Sequence, residues 1–397
     1  MQIKEKSIIE LENIHKIEPL FIRYLTIITA VVLIILFIFF FGTNRLNEEY
    51  NTVNVWNKET TSIEPPSHDD NFNIDGIFKH NFFTKPEGIV HYFDFNGDTI
   101  YSTNLMKGEL ASANNQNFII YKRYGNYIDT YNSMGIIIWR TNTSIYPEMA
   151  PYAERIVYHS SDNSKIQMFD FNNNPLSKHI QYGEIITDGA FALNTGDYIA
   201  GFSSGDIAYI NRNGNLSFAI STILSEINIV KSVAISEYGS FALSVSGIRP
   251  EYMTLYDANG STMWYLDTGL NRRRHVSSYV SEKSMMVYML ADRDIVLYTL
   301  NKGKEIDRIN LEKYNMQNAI NMKLNSETNS TIMSVSKDAK SVILIYDNNL
   351  KEIVFEKYLD GWVYNLDISN LENEYMIVSD KMIYTYKRVK LWKNMHC

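Results

Sequence analysis

The chain has 397 residues and a formal net charge of −8, and 45% of its residues are hydrophobic and 13% aromatic. This apolar content excludes a chain that is disordered throughout, and the acidic balance argues against general nucleic-acid binding, which depends on neutralising phosphates. The single cysteine, Cys397, removes intrachain disulfides and cysteine metal clusters from consideration.

The first element along the chain is an apolar segment, YLTIITAVVLIILFIFFFGTN, which runs from Tyr24 to Asn44 and contains 21 residues without a charge. A helix of this length spans about 31 Å, close to the roughly 30 Å of a hydrocarbon core. No convincing small-x-small cleavage motif follows it. We therefore expect an uncleaved transmembrane helix rather than a signal peptide.

The basic residues around this segment predict its orientation. Lys and Arg are more frequent in residues 1–23 than just after Asn44, and the cytoplasmic flank of a membrane span carries the excess of basic residues. We expect a cytoplasmic tail over residues 1–23, a transmembrane helix over 24–44 and an extracytoplasmic remainder. The protein would then be a single-pass protein of the cell membrane.

Residues 45–75 are polar and include the pair Pro65 and Pro66 and the acidic pair Asp69 and Asp70. This composition predicts a stalk or linker. His68, beside the acidic pair, is interpreted as part of this solvated segment rather than as a metal ligand. The remaining residues, 76–397, are predicted to form one repeat domain.

A nine-residue pattern recurs through residues 93–392. Its first position is aromatic in seven of eight copies, its second is Asp, Asn or Thr in all eight, its fourth is Asn in six, and its ninth is Trp, Tyr or Phe in five. Asp or Asn in a turn bonds neighbouring backbone amides, and Asn-Gly tolerates positive φ, so each copy predicts the end of an antiparallel hairpin. The copies begin at Phe93, Tyr131, Phe169, Ile210, Tyr256, Tyr298, Tyr346 and Tyr384.

Two further strand-like runs precede the hairpins, as in KSVAISEYG and SFALSVSG before Tyr256. Four antiparallel strands in about 40 residues are typical of one blade of a β-propeller, which buries its apolar faces against neighbouring blades. We therefore predict an all-β fold, a β-propeller built from eight hairpin repeats and preceded by one transmembrane α-helix. Eight blades of four strands are favoured, and seven blades with a closing hairpin remain the alternative.

The blade pattern, aromatic-Asp-x-Asn-Gly and then Trp or Phe, resembles the repeats of quinoprotein-like (PQQ-like) and YVTN-type propellers. The layout of tail, span, stalk and propeller, over roughly residues 20–397, is similar to an uncharacterised family of Gram-positive single-pass membrane proteins classed as a domain of unknown function. WD40 repeats match less well, because no copy has their Trp-Asp strand end. PQQ-like dehydrogenases carry a vicinal cysteine pair, and the one cysteine of this chain argues against their chemistry.

Two short motifs resemble known sites and are better explained by the repeat. GFSSG, from Gly201 to Gly205, matches a nucleophile elbow, but a strand rather than a helix is predicted after it. DFNGD, from Asp94 to Asp98, resembles the start of a calcium loop, but Thr99 and Leu105 stand where such a loop needs Gly and Glu. The histidines form no zinc motif. We expect no metal and no cofactor.

The densest basic run consists of Arg272, Arg273, Arg274 and His275, just past the hairpin that begins at Tyr256. In a propeller this connection lies on a face where partners commonly bind, and four positive groups on one loop could hold a carboxylate or a phosphate. The alternative is a solvated loop with acidic neighbours. These four residues are the predicted ligand-binding residues, and no catalytic residue is predicted.

Together these features favour a membrane-anchored, extracytoplasmic binding or scaffold module rather than an enzyme. The expected partner is a protein, a peptide or a cell-envelope glycan, with no role for nucleic acid. The alternative function is a hydrolase or lyase that acts on an envelope polymer, with carboxylates or a tyrosine converging from several blades on the central face of the propeller.

Overall fold

The computed structural model describes residues 28–32, 50–59, 81–85, 89–93, 99–114, 116–122, 125–180, 185–314, 319–325, 329–337, 339–369, 374–379 and 381–390. The chain divides into two compact units, one of Thr52–Arg388 and one of Met1–Asn51 with Val389–Cys397. In the smaller unit residues 28–32 are helical and exposed. The described residues include no helix with the length and hydropathy of a membrane span, and the rest of the predicted span lies outside them.

In the described residues of the larger unit, the helices and strands are all β-strands apart from one 3₁₀ turn, in keeping with its many β-branched and aromatic residues. A 3₁₀ turn, Glu312–Tyr314, lies between two of these strands. In chain order the strands are β1 (Tyr50–Glu59), β2 (Asn81–Lys85), β3 (Ile89–Phe93), β4 (Thr99–Asn104), β5 (Glu109–Ala113), β6 (Asn117–Lys122), β7 (Ile128–Asn132), β8 (Ile137–Thr141), β9 (Tyr146–Met149), β10 (Arg155–His159), β11 (Ile166–Asp170), β12 (Ile186–Phe191), β13 (Tyr198–Phe202), β14 (Asp206–Ile210), β15 (Leu216–Ser221), β16 (Ile227–Ile235), β17 (Phe241–Ile248), β18 (Tyr252–Asp257), β19 (Thr262–Asp267), β20 (Ser278–Ser281), β21 (Met286–Ala291), β22 (Asp294–Thr299), β23 (Glu305–Asn310), β24 (Ala319–Asn325), β25 (Ser330–Lys337), β26 (Lys340–Asp347), β27 (Glu352–Asp360), β28 (Val363–Ser369), β29 (Glu374–Ser379) and β30 (Met382–Lys390).

Within the described residues these strands form eight sheets, in which strands that follow one another in the chain pair through short turns, except that β1 pairs with β30. In sheet 3 the place of a fourth strand is taken by residues 175–180, which bridge to β11 through Pro175 and Ile180. In chain order the sheets are sheet 1 (β2–β4), sheet 2 (β5–β8), sheet 3 (β9–β11), sheet 4 (β12–β15), sheet 5 (β16–β19), sheet 6 (β20–β23), sheet 7 (β24–β27) and sheet 8 (β28–β30 with β1).

At six of the eight junctions between the described sheets, the first strands of the two sheets pack against each other. These contacts join β2 with β5, β5 with β9, β12 with β16, β16 with β20, β24 with β28, and finally β28 with β2. Buried hydrophobic clusters join sheet 3 with sheet 4 and sheet 6 with sheet 7. Because the contact of β28 with β2 returns to the first sheet, the sheets close into a ring, which is the arrangement of a β-propeller with one sheet per blade. The predicted all-β propeller is confirmed, and the described strands favour its eight-blade form over seven blades with a closing hairpin.

Sheet 8 is completed by the N-terminal strand. Its strand order is β1-β30-β29-β28, so β1 is the outer strand and lies beside β30. Part of the predicted stalk, Tyr50–Glu59, is therefore a strand. This stretch intersperses polar residues with Val53, Val55 and Trp56, residue types that favour strands. The other residues of the predicted stalk lie outside the described part of the chain.

The eighth copy of the repeat, from Tyr384, is not a hairpin, and this part of the prediction was wrong. β30 runs without interruption from Met382 to Lys390, and its outer neighbour is β1 rather than a following strand. The copy YTYKRVKLW contains no Gly or Asn that would favour the positive φ of a tight turn. The seven preceding copies lie where one strand ends and its antiparallel partner begins.

The turn after β18 shows how the first half of the repeat works. The carboxylate of Asp257 accepts hydrogen bonds from the backbone N–H groups of Asn259 and Ser261, both at 2.9 Å. Gly260 follows with a φ of +86°, a conformation that glycine adopts without steric cost. The second position of the repeat is therefore a turn-forming residue, as predicted.

The aromatic ninth position links one blade to the next. Trp264 at the start of sheet 5's outer strand donates from Nε1 to the carbonyl oxygen of Leu300 in sheet 6, at 2.7 Å. Phe218 in sheet 4 lies over the turn glycine of sheet 5, so that a Cβ atom added to Gly260 would lie 2.7 Å from its ring. The repeat therefore encodes the contact between blades as well as the hairpin.

Hydrophobic side chains fill the space between neighbouring sheets. Val245 of sheet 5 and Val287 of sheet 6 belong to one buried cluster, and Leu297 of sheet 6 and Leu344 of sheet 7 belong to the next. Each blade therefore buries its apolar faces against its neighbours, as expected for stacked repeats. The result is a scaffold whose surface loops are held on a well-packed ring.

Candidate functional site

The predicted basic run lies in residues 268–277, which connect β19, the outer strand of sheet 5, to β20, the first strand of sheet 6. Beside it lies the turn between β17 and β18, because Arg272 forms an ion pair with Glu251 of that turn. Strands that alternate in direction place these two kinds of segment on one face of the ring, which we call the connection face. The turns of the repeat, such as residues 258–261, lie on the opposite face, the hairpin face.

Arg272 is buried, with 8% of its surface exposed. Its Nε lies 3.1 and 3.2 Å from the two carboxylate oxygens of Glu251, and its Nη2 forms an ion pair with the same carboxylate. Its Nη1 donates to the carbonyl oxygen of Leu290. All three nitrogens of this guanidinium therefore contact protein groups.

A second cation, Lys231, approaches the same carboxylate. Its Nζ donates to Glu251 and, at 3.1 Å, to the carbonyl oxygen of Arg272. The hydroxyl of Thr268 donates to Glu251 at 2.8 Å. We call Lys231, Glu251 and Arg272 the buried charge network. It ties sheet 5 to the connection that leads into sheet 6.

The buried charge network changes the pKa of two of its members. Burial alone would raise the pKa of Glu251, but the hydrogen bonds from Arg272 and Lys231 outweigh it, and the pKa is lowered from its ordinary value. Burial lowers the pKa of Lys231, although its bond to Glu251 acts in the opposite direction. Two cations share one anion here, so the carboxylate is the group on which the network depends.

This geometry separates Arg272 from the rest of the predicted ligand-binding run. The guanidinium of Arg272 is bonded to Glu251 and holds the connection in place. The role of Arg272 is therefore structural. Arg273, Arg274 and His275 are exposed. Arg274 lies 3.9 Å from an exposed carboxylate, that of Asp292, a pairing that contributes little in water. Within the described part of the chain Arg273 has no ion-pair partner.

His275 contacts a carboxylate of sheet 4. Its Nε2 lies 3.4 Å from Oδ2 of Asp188 on β12, and the two side chains are 57% and 21% exposed. The same carboxylate oxygen accepts a hydrogen bond from the backbone N–H of Val233 on β16, at 2.8 Å. The hydrogen bond to Asp188 raises the pKa of His275, against the opposing effect of burial.

A further group of polar side chains lies in sheets 3 and 4. The hydroxyl of Tyr198 donates to Glu148 at 3.0 Å and lies 3.3 Å from Nε2 of His159. That nitrogen lies 3.2 Å from the same carboxylate. Burial, followed by the charge of Glu148 and the more distant charge of Asp188, raises the pKa of Tyr198 well above its ordinary value.

The contacts of Tyr198 join sheets 3 and 4, and His275 joins the connection after sheet 5 to Asp188 of sheet 4. No local motif in the sequence identifies this group, because Tyr198 and Glu148 are 50 residues apart and His275 and Asp188 are 87 residues apart. In the described residues no three His, Cys, Asp or Glu side chains are arranged to hold a metal ion. The arrangement offers hydrogen-bonding groups in sheets 3 and 4, and the exposed Arg273 and Arg274 belong to the same connection as His275.

Of the two motifs that resemble known sites, the structure describes GFSSG. β13 ends at Phe202 and β14 begins at Asp206, so GFSSG forms the turn between two strands, as predicted, and lacks the helix of a nucleophile elbow. The DFNGD residues, 94–98, and His68 with its acidic neighbours lie outside the described residues.

The comparisons with known proteins agree with this architecture. A family model described as "beta-propeller protein" matches residues 21–358. Among solved structures, the chain is similar to BamB from Moraxella catarrhalis, with 14% identity, a TM-score of 0.57 and coverage of 85% of this chain and 100% of that one. Hsv2 of Kluyveromyces lactis is similar with 14% identity, a TM-score of 0.51 and coverage of 70% and 95%. No curated protein matches the chain. At these identities the likeness to the two structures is one of fold.

Proposed function

Because the chain belongs to the family of beta-propeller proteins, we propose that it is a binding and scaffold module whose partner docks on the connection face at Arg273, Arg274 and His275. The observation that carries this proposal is the contrast within one loop. The buried charge network fixes the backbone at Arg272, while the next three side chains are exposed. A loop that is already ordered loses little conformational entropy when a partner binds.

The chemistry of these side chains favours an anionic group on the partner. Arg273 has no ion-pair partner in the described part of the chain, and Arg274 has only an exposed one at 3.9 Å. A guanidinium binds a carboxylate or a phosphate through two parallel hydrogen bonds. The proposed partner is therefore a protein, a peptide or a cell-envelope polymer that presents a carboxylate or a phosphate.

The test compares two variants with equal changes of charge. In the first, Arg273→Glu and Arg274→Glu are combined; in the second, Lys302→Glu and Lys304→Glu alter the hairpin face between β22 and β23. The probes are a poly-glutamate peptide and a glycerol-phosphate polymer, titrated against the full-length protein. We expect the arginine pair to weaken binding about tenfold or more and the lysine pair to leave it nearly unchanged. Equal losses in both variants would mean that only net charge matters, and the site would be wrong.

We further propose that the protein is anchored in the cell membrane by the segment from Tyr24 to Asn44, with a cytoplasmic N-terminus and an extracytoplasmic propeller. The uncharged run and the basic residues before it support this placement. Cys397 is the single cysteine, so a membrane-impermeant maleimide reports on one position. We expect labelling in intact cells, equal to that in permeabilised cells. Labelling only after permeabilisation would reverse the orientation.

A second candidate function is the hydrolase or lyase of an envelope polymer, favoured by the convergence of Glu148, His159, Tyr198 and Asp188. Two facts make binding the better proposal. Tyr198 is fully buried, so its hydroxyl does not face a substrate, and its raised pKa makes it a poor base near neutral pH. Turnover of isolated cell-wall polymer that is abolished by Glu148→Gln and His159→Ala would establish the enzyme instead.

A further inference from the structure

A separate groove opens on the connection face between sheets 1 and 2, four blades away from Arg273. Its volume is about 560 Å³, within the range of roughly 300–1,000 Å³ of small-molecule sites. Unlike a typical apolar pocket, it is lined mainly by amide, charged and phenolic side chains. They come from the end of β4, the start of β5, the turn between β6 and β7, and β7 and β8, and include Asn104, Glu109, Asn126, Tyr127, Asp129, Tyr131, Arg140 and Asn142.

The floor of the groove is a planar ion pair. Nε and Nη2 of Arg140 donate to the two carboxylate oxygens of Asp129, and the hydroxyl of Tyr131 lies 3.4 Å from Oδ2 of the same carboxylate. The Asp129 side chain is 5% exposed, whereas that of Arg140 is 60% exposed. The guanidinium therefore keeps donor groups free for a ligand while the buried carboxylate holds its plane in one orientation.

The wall of the groove is the ring of Tyr127. Its hydroxyl donates to Glu109, whose other oxygen accepts from the backbone N–H of Met106 at 2.6 Å, so the ring is held in place. Burial, followed by the bond to Glu109, raises the pKa of Tyr127 to about 12. The Nζ of Lys122, an exposed residue, lies 5.5 Å from the ring centroid. The lysine side chain therefore lies over one face of this partly exposed ring.

Three amides complete the lining. Asn104, Asn126 and Asn142 are exposed, and none of them has a hydrogen-bond partner among the described residues. An amide side chain offers two donors and an acceptor in one plane. Many other asparagines of the chain are engaged in turns, as Asn211 is with the backbone of Asn213 and Asn215. The groove thus gathers amides whose hydrogen-bonding capacity is unused.

We propose that this groove binds a segment of an uncharged oligosaccharide. Vicinal sugar hydroxyls each donate and accept, and they match planar amide and guanidinium groups that present paired donors and acceptors. The C–H face of a pyranose packs on an aromatic ring, and the partly exposed ring of Tyr127 lines the groove. The ionisable side chains Lys122, Glu109, Asp129 and Arg140 sum to no net charge, so the groove does not select a charged ligand.

The test uses the full-length protein in a detergent without a sugar headgroup, because a glycosidic detergent would compete for the groove. The probes are three uncharged tetrasaccharides: β-1,4-linked N-acetylglucosamine, cellotetraose and maltotetraose. We expect at least one of them to bind with a Kd between about 10 μM and 5 mM by calorimetry. If none binds at about 5 mM, the proposal is overturned.

Variants then locate the site. Tyr127→Ala, which removes the ring, and Asn142→Ala, which removes a free amide at no cost in internal hydrogen bonds, should each weaken binding about fivefold or more, whereas Tyr127→Phe keeps the ring face and should retain most of the affinity. Asn301→Ala on the hairpin face is the matched control and should bind as the wild type does. Wild-type affinity in Asn142→Ala and Tyr127→Ala would overturn the proposal even if a sugar binds elsewhere.

This proposal does not depend on the partner-binding loop. The combined Arg273→Glu and Arg274→Glu variant should bind the tetrasaccharide as the wild type does, and Tyr127→Ala should bind the anionic polymers as the wild type does. Loss of both activities in either variant would show that the two surfaces are not separate, and the assignment of the groove would fail.

Discussion

The buried charge network makes a sharp prediction about stability. Glu251 is the only anion in it and has no exposed surface, with Lys231 and Arg272 on either side. Glu251→Gln keeps the shape of the side chain but leaves two buried cations without a counter-ion. Removing one partner of a buried ion pair costs about 3–5 kcal/mol, so we expect the midpoint of thermal unfolding to fall by roughly 5–10 °C.

The partners should matter less than the anion. Arg272→Met and Lys231→Met each leave a balanced pair in place, and each removes charged hydrogen bonds of about 1.5–3 kcal/mol. The control is Glu226→Gln. Glu226 pairs with Arg249 at 3.8 Å on the surface, with both side chains more than half exposed, and such pairs contribute about 0–1 kcal/mol. The expected order of destabilisation is Glu251→Gln, then the two cation variants, then the control.

The pH dependence has a defined sign. Burial lowers the pKa of Lys231 in the folded state, and loss of the carboxylate in Glu251→Gln lowers it further. The folded variant then binds fewer protons than the unfolded one, so its stability rises as the pH increases towards the ordinary lysine pKa of about 10.4. Urea unfolding followed by tryptophan fluorescence between neutral pH and about pH 10 measures the difference from the wild type. A variant as stable as the wild type, or a difference that does not shrink with rising pH, would refute the reasoning.

Three further predictions concern the turn at Gly260, the contact of His275 with Asp188, and β1, the strand that completes sheet 8. Gly260→Ala should destabilise the protein by about 1–3 kcal/mol, because alanine is strained at a φ of +86° and its Cβ would meet Phe218; unchanged urea unfolding would contradict this. The raised pKa of His275 means that its bond to Asp188 stabilises the fold below the ordinary pKa of about 6.5 and loses this effect as the pH rises through the folded value. In His275→Ala the small loss of unfolding free energy that the wild type shows as the pH rises through neutrality should disappear. If the pH dependence of unfolding is the same in the variant and the wild type, the bond to Asp188 does not stabilise the fold. A chain that begins at residue 60 lacks β1, beside β30, and should melt lower than one that begins at residue 46; equal melting temperatures would show that β1 does not support the ring.

The hairpins could be predicted because their determinants are local. The carboxylate of Asp257 bonds amides two and four residues away, and a pattern on that scale is visible in the sequence itself. The repeat then predicts the blades, since a unit of this size buries its apolar faces only by stacking. Even the aromatic ninth position, which predicts a packing residue, proves to be the contact between blades through Trp264.

The candidate site could be predicted only in part, because its contacts are not local. Arg272 is 21 residues from Glu251 and its carbonyl oxygen is bonded by Lys231, 41 residues away, so nothing in the RRRH run distinguishes the buried arginine from its exposed neighbours. The same holds for β1, whose polar composition suggests a linker and whose partner β30 lies at the other end of the chain. In both cases the prediction is limited because the partners are far apart in the sequence, not because the residues have weak preferences for secondary structure.

Sheet 8 contains strands from both ends of the chain, so the ring can be completed only at the end of synthesis. β1 leaves the ribosome before every other strand of the ring, and β30 leaves it last. About 320 residues separate the two strands, which corresponds to roughly 15–65 s at translation rates of 5–20 residues per second. Throughout that interval β30, the strand that pairs with β1 in the fold, has not been made, and an unsatisfied strand edge is a template for pairing with other chains. The sequence of β1, YNTVNVWNKE, is mostly polar. This composition lowers the tendency of the unpaired strand to aggregate before β30 is made and the ring closes.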